Sequence, residues 1–236
     1  NYLLNSINQA LKFNSRIYLL TDIDIKIENV SVYDLNDYCT GILKFESVYE
    51  HMSSNTDVFE KICIKRWMIL SNFMNQNNID VCYYSDSDVM LYANVSDVFK
   101  TYENYDAAYT LPEFQGEYRW TASACCSFWK KKTLNQFSKF IIESYSSPKI
   151  QILREKWGYH QRNMIPGGIC DMTLLYLFSK SISFYSLSRV KNGLAFDQNY
   201  IDSENYFKNE YELVFNSSID KNVKKISWNN SLPFGN

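Results

Sequence analysis

At 236 residues with a formal net charge of -2, the chain has the size of one large α/β domain with a substantial core. Aromatic residues make up 17 % of it and charged residues 21 %, with acids and bases interspersed, so no basic stripe offers a nucleic-acid surface and no nucleic-acid partner is expected. No apolar run approaches the roughly 20 residues of a membrane span. The six cysteines lack any CxxC pairing, and His51 and His160 stand apart from them, which argues against zinc and for a reducing cytoplasm.

In chain order, Leu3, Leu4, Ile7, Ala10 and Leu11 fall at helical spacing. The chain thus opens inside a helix without an initiator Met, as a fragment would, and a strand is expected before Asn1. Residues 16–20 read as a strand closed by Thr21-Asp22, which makes Asp22 and Asp24 a turn rather than a site. Ile25 to Glu28 alternates like an exposed strand, Val30 to Val32 like another, and Leu35 to Tyr49 is partly helical around Gly41. A long helix follows, capped at Asn55 or Thr56 with Glu60 placed for a capping box. Its expected buried stripe is Phe59, Ile62, Cys63, Ile69, Leu70, Phe73 and Met74. A polar turn at 75–78 leads into Val81-Cys82-Tyr83-Tyr84, a buried strand.

That strand runs directly into Asp86-Ser87-Asp88. In an extended chain alternate side chains share a face, so the two carboxylates point the same way. Like charges this close repel unless a cation sits between them, and hard divalent ions take such oxygens while keeping positions for water and phosphate. The expected site is a strand-end clamp for a phosphorylated ligand, at the usual ligand-binding edge of an α/β sheet; the competing reading is a solvated turn.

Further on, Ser96 is placed to cap a short helix with Val98 and Phe99, and residues 106–111 and 121–129 read as strands. Lys130 to Tyr145 is an amphipathic helix ended before Pro148. Residues 149–164 lack a clear period and read as a loop or short helix, with His160 a loop residue. Pro166-Gly167-Gly168 is a sharp turn, Asp171 to Phe178 a helix, and Ile182 to Tyr185 and Lys225 to Trp228 are strands. No repeat or linker divides the chain, so residues 1–236 are read as one domain.

Tyr83-Tyr84-Ser85-Asp86-Ser87-Asp88-Val89-Met90-Leu91 resembles the "ylDsDvll" segment of nucleotide-sugar glycosyltransferases of the GT-A fold. Lys65-Arg66-Trp67-Met68-Ile69-Leu70 is similar to the arginine-bearing helix of their retaining galactosyltransferase and glycogenin-like group. Pro166 to Leu175 is similar to that group's x-D-x-x-L-L segment, and Phe196-Asp197-Gln198-Asn199 and Lys225-Ile226-Ser227-Trp228 resemble blocks of a bacterial subgroup. The likeness spans most of the chain from Leu3 onward. It implies a GT-A-like, Rossmann-like mixed sheet flanked by helices. It also implies transfer of a sugar, from a UDP-sugar by default, to a glycan or lipid-linked acceptor in polysaccharide synthesis. A lipid-linked acceptor would bring peripheral association with the inner face of the membrane.

By the same resemblance Asp86 and Asp88 hold Mn²⁺ or Mg²⁺, Arg66 and Ser123 meet the donor's diphosphate or sugar, and Asp171 meets the sugar hydroxyls or the reacting centre. Tyr83, Tyr84 and Trp67 are expected in the core, and Cys125-Cys126 as packing. Two departures stand out: the first strand is missing before Asn1, and so is a late H-F-x-G-x-x-K block that supplies a third ligand and a lysine. Two other readings remain. One is a phosphatase of the haloacid dehalogenase kind, whose motif hhhhDxDx[TV] is broken here by Met90; the other is a carbohydrate-binding relative without catalysis.

Overall fold

The computed structural model describes residues 2–112, 116–189, 196, 212–229 and 232–235. Helix α1 (Tyr2–Leu11) leads to strands β1 (Tyr18–Thr21) and β2 (Ser31–Asp34), which pair in parallel. The expected strand at 25–28 does not form. The segment turns instead through a hydrogen bond from the Val30 amide to the Ile27 carbonyl, and Ile23 is 68 % exposed. Alternation alone does not hold a strand whose backbone groups lack a neighbouring strand.

A short 3-10 turn (Leu35–Tyr38), helix α2 (Ile42–Val48) and helix α3 (Asp57–Gln76) follow. Gly41 precedes α2 in the left-handed region at φ 81°, the backbone that glycine adopts most readily. Thr56 caps α3 through its hydroxyl, which accepts from the Phe59 amide at 3.4 Å. Glu60 does not close a capping box. It turns inward, where Oε1 accepts from Ser53 at 2.7 Å and Asn55 at 2.8 Å. The buried stripe is rotated from the expected one: Glu60, Ile64, Trp67, Met68, Ser71, Phe73 and Met74 face in, while Phe59 and Ile62 are more than half exposed. The first half of α3 mixes five charged residues with its apolar ones, and charged Glu60 turns inward while apolar Val58, Phe59 and Ile62 face out, so the apolar pattern did not mark the covered side.

Strand β3 (Val81–Ser85), short helix α4 (Val95–Phe99), β4 (Ala107–Thr110), β5 (Ser123–Lys130) and, later, β6 (Phe184–Ser186) build the main sheet. Its order is β3-β5-β4-β6, with β5 antiparallel to both neighbours and β4 parallel to β6. The fold is thus α/β with a mixed sheet. Asn94, not Ser96, caps α4, because its side-chain oxygen reaches both the Ser96 and Asp97 amides.

Helices α5 (Lys131–Ser144), α6 (Ile150–Arg162) and α7 (Asp171–Ser179) complete the described helices. One core, built from Trp67, Trp129, Leu134, Phe137, Ile141 and Leu174 among others, lies between the sheet and α3, α5 and α7. Ala108, Cys126 and Phe128 project from the opposite face into a second cluster with Val98, Tyr102 and Leu187.

Of the two readings, loop or short helix, residues 150–162 form a helix of 13 residues, and two of its inward positions are Lys156 and His160, which an apolar period cannot register. Two hairpins, β7 (Leu213–Asn216) with β8 (Lys221–Lys224) and β9 (Ile226–Asn229) with β10 (Leu232–Gly235), close the described chain. Of the block at 196–199 only Phe196 is described; Asp197, Gln198 and Asn199 lie outside the described residues. No helix among the described residues is long and apolar enough to cross a membrane.

Candidate active site

The site forms where the C-terminal end of β3 meets the N-terminal end of β5. The Asp86 amide donates to the Cys125 carbonyl at 2.9 Å, one step beyond the last β3–β5 pair, Ser85 with Cys126. Asp86 therefore still belongs to the ladder. Asp88 does not: the Val89 amide returns to the Asp86 carbonyl at 3.2 Å, which makes residues 86–89 a tight turn. Asp86 and Asp88 therefore do not point the same way from an extended chain as expected, because the chain turns between them. The turn instead carries Asp88 outward to a cleft of about 330 Å³, which it lines with Met90 and with Tyr2, Asn5, Asn8, Gln9 and Lys12 of α1.

That cleft has a fixed wall. Ser6 of α1 donates to the Val89 carbonyl. Asn14 donates to the Ala93 carbonyl at 3.0 Å and accepts from the Val95 amide at 2.9 Å, while Asn94 donates to the Phe13 carbonyl. The end of α1 is thereby bound to the chain on the far side of the acid pair.

Asp171 arrives from the other direction. Segment 52–55 clasps the Pro166–Gly168 turn: the Ile169 amide donates to the Met52 carbonyl at 2.7 Å and the Ser54 amide to the Gly167 carbonyl at 3.0 Å. A Cβ on Gly168 would stand 2.3 Å from the Met52 carbonyl oxygen, so only glycine allows this approach. Asp171 follows as the first residue of α7. Its side chain is 5 % exposed and points into the protein rather than capping the helix.

Arg66 joins the two acids. Its Nη1 donates to Asp86 Oδ1 at 2.9 Å and to the Tyr84 hydroxyl at 3.2 Å, and its Nη2 donates to Asp171 Oδ2 at 2.5 Å. The Tyr84 hydroxyl in turn donates to Asp86 Oδ1 at 2.6 Å, and Trp67 Nε1 donates to Asp171 Oδ2 at 3.0 Å. The guanidinium also lies 4.9 Å from the Trp67 ring and 5.7 Å from the Tyr84 ring, within cation–π range. Burial works to lower the Arg66 pKa, but Asp171, Tyr84 and Asp86 outweigh it and push the pKa up. Burial, with Asp86 beside it, raises the Tyr84 phenol. Cys63, one turn before Arg66 on α3, is raised to about 11 by burial and then by the charge of Asp171.

Comparison with known protein families, with characterised proteins and with solved structures finds no match for this chain.

Three of the five expected residues meet here: Arg66 bonds both Asp86 and Asp171, while Asp88, two residues beyond Asp86, turns outward to the cleft lined by α1. Ser123 is less engaged. It pairs with Thr110, and among the described residues its hydroxyl accepts from the Cys125 amide at 3.4 Å and bonds neither acid. Cys125 is near both Asp86 and Asp88: hydrogen bonding to Cys126 lowers its pKa, while the two carboxylates act in the opposite direction. Tyr84 and Trp67 do pack in the core as expected, yet each also turns a polar atom to a site carboxylate. An aromatic inside an apolar run reads as packing, and only the buried hydroxyl and indole N–H hinted at a partner.

Among the described residues no three His, Cys, Asp or Glu side chains gather into a metal site. The oxygens on offer are those of Asp88, which has no hydrogen bond or ion pair among the described residues, and Oδ2 of Asp86. Carboxylate oxygens are hard donors of the kind that Mg²⁺ and Mn²⁺ take.

Proposed function

We propose that the protein is a metal-dependent glycosyltransferase of GT-A-like fold that takes a sugar from a nucleotide-diphosphate donor, UDP by default, to a glycan or lipid-linked acceptor. One observation carries the reading most: Arg66 ties together Asp86 and Asp171, which lie 20 and 105 residues away from it, and Asp88, two residues past Asp86, lines a cleft with α1. Carboxylates brought together from distant parts of the chain around one guanidinium are costly to assemble for stability alone.

In this reading Asp86 and Asp88 hold Mn²⁺ or Mg²⁺. Bound there, the ion supplies Lewis-acid neutralisation of the charge that builds on the departing diphosphate. The planar fork of Arg66 suits two phosphate oxygens. Asp171 has Oδ2 fixed by Trp67 and Arg66, which leaves Oδ1 to orient a donor-sugar hydroxyl or, if configuration is inverted, to receive the acceptor's proton. Small Ser123 at the sheet edge leaves room for the sugar. The phosphatase reading needs Asp86 as a free nucleophile, whereas here Tyr84 and Arg66 both hold one of its oxygens.

The test is Mn²⁺-dependent hydrolysis of nucleotide sugars with and without an acceptor, for wild type and Asp88→Asn. The reading expects turnover in wild type and a loss of at least a hundredfold in the variant at unchanged melting temperature. Undiminished turnover by Asp88→Asn would falsify it. A phosphatase would instead release phosphate from simple esters, and a pure binder would hydrolyse nothing.

A further inference from the structure

A fixed cation already stands on one of the two expected ligands. Arg66 Nη1 reaches Asp86 Oδ1 at 2.9 Å, and Nη2 reaches Asp171 Oδ2 at 2.5 Å. Arg66 Nε is buried with no hydrogen-bond partner among the described residues. A buried guanidinium N–H left unpaired is costly, and an incoming ligand that accepts from it recovers that cost. The side chain is 29 % exposed, so part of the guanidinium can be reached from solvent. A divalent ion on Asp86 would stand next to this guanidinium and be repelled by it. Repulsion falls once Nη1 has another anion to bond, and a diphosphate provides one.

We infer that Arg66 is the resident counter-cation of the acid cluster, covering Asp86 until a divalent ion and a diphosphate arrive together. The inference rests on the metal site proposed above. The ion takes Asp86 and Asp88, and the diphosphate takes Nη1 and Nε. Asp171 and Trp67 keep hold of Nη2, so the guanidinium pivots rather than leaves. By linkage each ligand must then raise the other's affinity by the same factor. Tyr84, whose hydroxyl accepts from Nη1 and donates to Asp86, marks where that hydrogen bond breaks. Arg66 thereby acts as a lock against unproductive capture of metal alone, in addition to any contact with the donor.

The test is Mn²⁺ binding, followed by loss of the free-ion EPR signal, for wild type, Arg66→Gln and Asp88→Asn. Each is titrated with and without inorganic pyrophosphate as the diphosphate probe, after correction for chelation by pyrophosphate itself. Arg66→Gln is expected to bind Mn²⁺ alone at least fivefold more tightly than wild type and to lose the coupling to pyrophosphate. Asp88→Asn is expected to lose Mn²⁺. Mn²⁺ binding by wild type that Arg66→Gln leaves unchanged or weakens overturns the inference and leaves the metal site standing. No Mn²⁺ binding by any protein, with or without pyrophosphate, overturns both.

Should Arg66→Gln fail to fold, side-chain ¹⁵N resonances of the arginines in wild type decide. The restrained guanidinium is expected to shift with Mg²⁺ and pyrophosphate together and hardly at all with Mg²⁺ alone. A full shift with Mg²⁺ alone contradicts the lock.

Discussion

Lys156 shows how much a single buried charge is asked to do away from the candidate site. It is almost fully buried on α6, donating to the Tyr118 carbonyl at 2.8 Å and standing 3.0 Å from His160 Nε2, and the His160 ring nitrogen Nδ1 is buried without a partner among the described residues. Burial lowers the Lys156 pKa to about 8, with the nearby Cys170 thiol acting against it. Below that pH the lysine is charged in both the folded and unfolded chains, and the full cost of burying it falls on the folded one. Between about 8 and the ordinary lysine value the folded protein releases the proton while the unfolded chain keeps it, so stability rises with pH. Lys156→Met, which removes the titration and keeps the bulk, is expected to flatten that rise. Melting temperatures of both proteins from pH 7 to pH 9.5 check this, and parallel curves contradict it. The same pairing explains why His160 was misread as a loop residue: its partner is a backbone carbonyl in the chain at 118, invisible from its own neighbours.

At the scale of elements, the start of α7 depends on one close approach. The adjacent glycines make a contrast: Gly167 has φ +83° and open space around its missing side chain, whereas a Cβ on Gly168 meets the Met52 carbonyl oxygen at 2.3 Å and Ser53 Cα at 2.6 Å. Gly167→Ala is therefore expected to cost about 1 kcal/mol of backbone strain. Gly168→Ala must push apart two backbones that hold the turn before Asp171, and is expected to cost more than about 2 kcal/mol. Urea denaturation of the two variants checks the order, and equal losses contradict it. The sequence announces this turn plainly, since Pro-Gly-Gly has few other uses, but not what it turns against. Helix α3 was legible in extent and cap, yet its buried face was not: Phe59 and Ile62 look as fit for a core as Ile64 and Trp67, and the contacts that choose between them come from α5 and β5. Helix α6, read as a loop or short helix, was not recognised at its full length for the opposite reason: Lys156 and His160 occupy inward positions that binary patterning reserves for apolar residues.

For the molecule as a whole, local signals and long-range contacts divide the account between them. The mixed sheet was foreseeable in part, because β3, β4, β5 and β6 are short apolar runs bounded by turn residues, although their order was not. Asp86 and Asp88 could be read from two carboxylates at the end of such a run. The union of Asp86 with Asp171 through Arg66, and the support of Tyr84 and Trp67, required the chain to close over 105 residues, which no local pattern records. The central claim is that this assembly grips a divalent ion and a sugar-bearing diphosphate. A ligand that binds only the folded protein raises its melting temperature by mass action. The direct measurement is a thermal-shift panel of nucleotide sugars with and without Mn²⁺. The account predicts that at least one nucleotide sugar stabilises the protein in the presence of Mn²⁺, that the gain disappears without the ion, and that Asp88→Asn abolishes it. A panel in which no nucleotide sugar shifts the melting temperature, or in which the shift survives both removal of the ion and Asp88→Asn, would contradict it.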